Sequence, residues 1–348
     1  MKVDYIVVGS GLAGILFCQR LKENKKTFVV IDDASQTASK VAGGLYNPVI
    51  LKRFTPVWNA QTQLDLALPI YKQMEKEFDM NLDYKIPIYR LFASIEEQNN
   101  WFVAADRPRL NKYLDTTIQR LSNPAIRAAF GYGRVNDTGR IDTIKLIKAF
   151  QAQQKSLGQF MDASFDYEGI KIKDTGICYK SIEAKYIVFA EGYGLKQNPY
   201  FNHLPLNGTK GELLVIHAPN LNIDFVLKSS VFIIPLGNAL YLLGATYEWN
   251  DKSNNTTPAA KSELLNKVKS FLQCEFTVEH QIAGIRPTVI DRRPLIGAHK
   301  QHKRLFVLNG LGTRGVMIAP YAAKQLYDYI ELQKDLDPEV DIRRFSKD

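Results

Sequence analysis

A chain of 348 residues is long enough for one large α/β protein, or two intimately shared domains, around a substantial core. Its 45% hydrophobic and 23% charged residues are those of an ordinary globular protein. Three scattered cysteines without a CxxC pair argue against a disulfide framework, a zinc knuckle or a redox dithiol. The five histidines lack metal-ligand spacing, so no metal is expected. A net charge of +9 suits anionic partners, from phosphate-bearing cofactors to carboxylates and nucleic acid, yet scattered lysines such as those in 22–26 equally serve solvation.

The apolar stretch from Tyr5 to Phe17 is too short to span a bilayer. Asp4 precedes it, Gly9, Gly11 and Gly14 interrupt it, and no small-residue cleavage site follows, which favours a cytoplasmic protein over a secreted one.

Residues 3–8 (VDYIVV) read as a buried parallel strand. GSGLAG follows, with Gly9, Gly11 and Gly14 in GxGxxG spacing, and Ile15, Leu16, Cys18 and Leu21 then repeat at helical intervals. A second strand, 27–31, ends at Asp32 with Asp33 behind it. Such a unit holds a dinucleotide. Gly9 permits the turn, Gly11 admits the pyrophosphate and Gly14 lets helix pack on strand. The N–H groups of Leu12 and Ala13 open the helix, whose positive end faces the phosphates. An acid at 32 suits ribose hydroxyls and would repel a 2′-phosphate.

Further along, 81–94, 210–218, 225–236 and 239–249 read as strands, the last two joined at Gly237-Asn238, a hairpin signal. Helical patterns fill 59–78, 106–121, 140–155 and 258–273. The expected fold is α/β: a Rossmann-type domain with an interleaved antiparallel-sheet domain.

Four later segments carry a resemblance: ASKVAGGLYNP at 38–48, YIVFAEGYG at 186–194, AGIRPTVIDRRPLIG at 283–297 and LFVLNGLGTRGVMIAP at 305–320. With the N-terminal GxGxxG, this ordered set resembles the D-amino-acid oxidase superfamily, especially its glycine-oxidase and sarcosine-oxidase branches. The resemblance implies FAD as cofactor and a flavin domain built from 1–80, 139–204 and 281–348, with a substrate domain from 81–138 and 205–280. The flavin is expected to be non-covalent, since no cysteine lies in the C-terminal flavin segments. Ser39, Gly43, Gly44 and Leu45 would bring backbone to the cofactor, and Ala190 and Gly192 would serve its adenosine half. Gly284 would approach it as well. The turn Gly310-Leu311-Gly312-Thr313-Arg314-Gly315 would aim a helix N-terminus at the flavin edge that becomes anionic on reduction.

The resemblance further assigns Arg286 to the substrate carboxylate, a fit between a guanidinium fork and two oxygens; an arginine tying two domains together would read the same. Arg53, beside Lys52, is a basic substrate contact or a solvated loop residue. Tyr46, Tyr247 and Phe232 are pocket wall or core, and Arg314 stands where relatives carry a small residue. The implied chemistry is oxidation of a C–N bond of a small amino acid or N-substituted glycine to an imine, by hydride transfer to flavin N5. No separate acid or base is required. GGLYNP also resembles the flavin-oxidase half of the bifunctional wobble-uridine tRNA-modification enzyme, making a carboxymethylamino group on tRNA a less favoured substrate. A non-enzymatic flavin- or NAD-binding protein is the third reading. Oligomeric state is not legible.

Overall fold

In the computed structural model, which describes residues 1–346, the N-terminal apolar run is the strand Lys2–Val8 at the centre of an eight-stranded sheet. Phe28–Asp32 pairs with it in parallel on one side and Ile182–Phe189 on the other. Phe160–Asp162 and Leu305–Asn309 extend the parallel set outward. Successive side chains point to opposite faces, and both faces are covered. Tyr5 and Val7 pack against the helices Leu12–Glu23 and Gly315–Leu332, whereas Ile6 and Val8 pack with Phe189, Phe201 and Leu204. Burying each large apolar side chain contributes about 1.5–3 kcal/mol, so the strand has no alternative register that keeps both layers.

Pro320 lies inside the last helix, where it cannot donate to the carbonyl of Val316 four residues earlier. The buried Tyr71 hydroxyl, from the helix Ala60–Phe78, donates to that carbonyl instead at 2.9 Å. Tyr71→Phe leaves the carbonyl unsatisfied; thermal unfolding should then show a loss of about 1–3 kcal/mol.

A second, seven-stranded sheet collects Ile88–Leu91, Tyr132–Val135, Thr209–His217, Val226–Lys228, Phe232–Gly237, Leu240–Gly244 and Thr277–Arg286. It is antiparallel as expected except for one parallel pairing, Val226–Lys228 with Ile88–Leu91. The hairpin at Gly237-Asn238 forms with positive φ at both residues. Residue 281, where the flavin segments were expected to resume, lies within Thr277–Arg286, which stays paired with Thr209–His217 along its length.

Three element readings need correction. The expected strand 81–94 is two: Asp83–Tyr84 joins a small three-stranded sheet, and Ile88–Leu91 joins the seven-stranded one after Pro87. The expected strand 225–236 turns at Ser229-Ser230 into two strands, because Ser229 N–H bonds the carbonyl of Val231. The expected helix 106–121 is a run of turns with single bridges from Leu114 to Val135 and Gln119 to Tyr132. The helix lies just before it, at Ile95–Ala105: Ser94 Oγ caps Glu97 N–H at 3.2 Å and the Glu97 carboxylate reaches back to Ala93 N–H at 2.7 Å. Among the described residues no helix is long and apolar enough to cross a membrane.

Candidate active site

A cavity of about 360 Å³ opens between the two sheets, within the range of ligand pockets. One end is the dinucleotide unit. Gly11, the cap of the helix Leu12–Glu23, has no side chain to take up the first N–H groups, and Gly11, Leu12 and Ala13 line the cavity. Ser39 Oγ accepts only the Leu12 N–H, at 3.1 Å. At the end of Phe28–Asp32, Asp32 Oδ2 accepts from Ser10 N–H and hydroxyl at 2.5 and 2.6 Å, which fixes the carboxylate toward the cavity. The Ser35 and Ser164 hydroxyls hold the Asp33 carboxyl below its usual range.

The opposite end is the second sheet. Arg286 ends the strand Thr277–Arg286, opposite Thr209 on the neighbouring strand. Its guanidinium lies across Gly211, where a Cβ would sit 2.0 Å from Nη2. Nη1 is 3.3 Å from the carbonyl oxygen of Thr246 and 3.5 Å from that of Lys210. Tyr247 stacks on it, 4.6 Å from ring centroid to Cζ, and is 62% exposed, which makes it a mouth residue rather than core. Among the described residues no carboxylate lies within ion-pair distance of Arg286. Burial lowers its pKa from the ordinary arginine value, but arginine stays protonated in proteins. Leu213, Phe232 and Ala245 add apolar wall around it.

Of the dinucleotide residues expected from sequence, Gly9, Gly11, Leu12, Ala13, Asp32 and Asp33 line the cavity. So do Ser39, Gly43, Gly44, Leu45, Gly192 and Gly284, and from the C-terminal turn Gly312, Thr313 and Gly315. Tyr247, Phe232 and Arg286 complete the expected set. Four expected residues stand outside it. Gly14 and Gly310 pack behind the wall: a Cβ on Gly14 would meet the Gly9 carbonyl, and one on Gly310 would meet Val289. Arg314, the cap of the last helix, is half-buried outside the lining. Arg53 is exposed on the turn after Val49–Ile50 and does not reach the cavity, because that turn carries it into solvent. Tyr46 is core, its hydroxyl donating to Asp83 at 2.8 Å.

Sequence reasoning missed Glu191 and Gly211. Glu191 stands inside the AEG strand end that was read for its glycine. Gly211 is adjacent to Arg286 only through strand pairing.

A family model described as FAD dependent oxidoreductase, DAO, matches residues 4–329. The chain belongs to the DAO family of FAD-dependent oxidoreductases. Glycine oxidase of Bacillus subtilis is 24% identical over 357 aligned residues, 95% of this chain and 94% of that protein. The tRNA 5-methylaminomethyl-2-thiouridine biosynthesis bifunctional protein MnmC of Shewanella halifaxensis is 25% identical over 181 residues, covering 41% of this chain but 28% of that longer protein. In fold, the chain matches glycine oxidase from Geobacillus kaustophilus with a TM-score of 0.78 at 18% identity, over 97% of both chains. It matches iminodiacetate oxidase from Chelativorans sp. BNC1 with a TM-score of 0.77 at 18% identity, over 98% of both.

FAD is the cofactor of this enzyme family, and the cavity fits it. The helix end at Gly11–Ala13 would take the diphosphate, Asp32 the ribose hydroxyls, and the turn ending at Gly315 the flavin edge. The three cysteines are free, Cys18 being buried.

Proposed function

We propose that this FAD-dependent oxidoreductase oxidises the C–N bond of a small amino acid or N-substituted glycine to the imine. The observation that carries this reading is Arg286, a cation without a carboxylate partner that lines the cavity beneath Tyr247. A substrate carboxylate supplies the missing partner through two charge-assisted hydrogen bonds. Leu213, Phe232 and Ala245 exclude water from the substituents on nitrogen and carbon, and the amine enters as its free base. FAD, when bound, accepts the hydride equivalent, so the chain needs to orient the C–H bond rather than take a proton. The set of free cysteines suits a cytoplasmic setting.

Turnover by purified flavin-loaded protein, with peroxide or dye reduction as readout, should appear with at least one of glycine, N-methylglycine, D-amino acids or L-proline. Activity with none of them contradicts the reading. Gly211→Ala provides a finer check. The three atoms nearest the added methyl all belong to the flexible Arg286 guanidinium, which it pushes off its seat, so KM for the active amine should rise tenfold or more, by the loss of about one charge-assisted bond, while flavin content stays constant.

A second reading, oxidation of an amine carried on tRNA, draws support from the MnmC similarity and from Trp249. That side chain is 53% exposed on the same loop as Tyr247 and could stack a base. Absence of a tRNA gel shift at low salt removes it.

A further inference from the structure

Glu191 follows the central strand Ile182–Phe189 and lines the same cavity as Asp33 and the glycine turn, yet it is 8% exposed. Its partners are neutral. The Tyr167 hydroxyl donates to Oε1 at 2.5 Å and the fully buried Asn198 amide donates to Oε2 at 2.8 Å. Among the described residues no Lys, Arg or His lies within ion-pair distance. The charged group facing it, from the end of Phe28–Asp32 two strands away, is Asp33, a like charge. A buried carboxylate with a like charge in view and no cation disfavours ionisation. Burial first, and Asp33 in the same direction, raise this carboxyl to about 7, against the lowering by Asn198 and Tyr167.

We infer that Glu191 is a cofactor-binding residue that works protonated, so that FAD enters with the uptake of one proton at this side chain. The cofactor brings a doubly anionic diphosphate into the cavity that Glu191 lines. An ionised Glu191 would repel it, whereas the neutral acid adds a donor to the wall. The inference rests on the family's cofactor and not on the amine-oxidising reading, so an inactive substrate panel leaves it standing.

The linkage has a definite sign. Bound diphosphate raises the carboxyl further, so affinity is full below about pH 7 and falls above it, by up to about tenfold per pH unit for one coupled proton. The neighbouring groups do not titrate in that range. Asp33 is held low by the serine hydroxyls, and burial and Glu191 push Tyr167 far above it.

The test is to dilute flavin-loaded protein from about 1.5 pH units below neutrality to about 2 above it, and read released FAD by its fluorescence. Wild type should release more FAD as pH rises, with a break near neutrality. Glu191→Gln keeps a neutral donor and should hold FAD with a flat profile. Tyr167→Phe removes a donor that favours the carboxylate, so its break should move to higher pH. Parallel profiles for wild type and Glu191→Gln, or a break that ignores Tyr167→Phe, would overturn the inference.

Discussion

Arg286→Ala lowers kcat/KM for the carboxylate-bearing amine by about 10² to 10⁴ and leaves the flavin in place. Two charge-assisted hydrogen bonds at about 1.5–3 kcal/mol each set that range, with each 1.4 kcal/mol worth a factor of ten. Under this proposal the guanidinium is an interaction centre rather than a structural tie, and its own acceptors are two carbonyls at 3.3 and 3.5 Å, both at the long end for such bonds. Removing it therefore leaves little unsatisfied behind it. Steady-state kinetics on the most active amine of the panel, with the flavin spectrum taken on the same sample, check this outcome. If the loss falls in KM with kcat constant, the arginine binds ground and transition states alike. If flavin is lost together with activity, Arg286 is a support for the fold and its assignment fails.

Gly14→Ala should give protein without flavin and with a melting temperature lower by roughly 4 °C. A methyl there would lie 1.9 Å from the Gly9 carbonyl oxygen and 3.0 Å from its carbon. Both are backbone atoms that cannot rotate away, so the cost is at the upper end for overpacking, about 3 kcal/mol. Relief requires the helix Leu12–Glu23 to lift from the sheet, and that moves the N–H groups meant for the diphosphate. Gly158→Ala is the control. Unlike Gly14 it has positive φ, +66°, but nothing lies within 4 Å of the added atom. It should lose about 1–2 kcal/mol and keep its flavin, as melting curves and absorbance on both variants will show.

These two positions also show where the sequence was readable. Gly14 belongs to a strand–turn–helix unit that closes within about 30 residues, and every part of it is a local signal: β-branched run, glycine spacing, helical repeat, terminal acid. The same holds for the hairpin at Gly237-Asn238 and for the last helix, which opens at the glycine turn 310–315. Arg286 was legible only through a resemblance. Nothing near it in sequence tells that Gly211 gives it room, because the two meet through the pairing of strands about 75 residues apart. Arg53 fails for the converse reason: a basic residue on a turn looks the same whether the turn faces a cavity or solvent. The helix Ile95–Ala105 had a readable start in Ser94 and Glu97, but the apolar run before it drew the strand past its end at Leu91. Glu191 carried no pattern at all. Its chemistry comes from burial, which a lone acid in a strand end does not announce.

The most direct measurement of the central claim is anaerobic mixing of the flavin-loaded protein with each candidate amine, in excess over flavin but below KM, followed in the visible. The account predicts that a carboxylate-bearing amine bleaches the flavin band in wild type, and that Arg286→Ala, with the same initial spectrum, bleaches at least a hundredfold more slowly, the lower bound set by two lost charge-assisted bonds. A flavin that stays oxidised with every such amine, or that bleaches equally fast in both proteins, would contradict it.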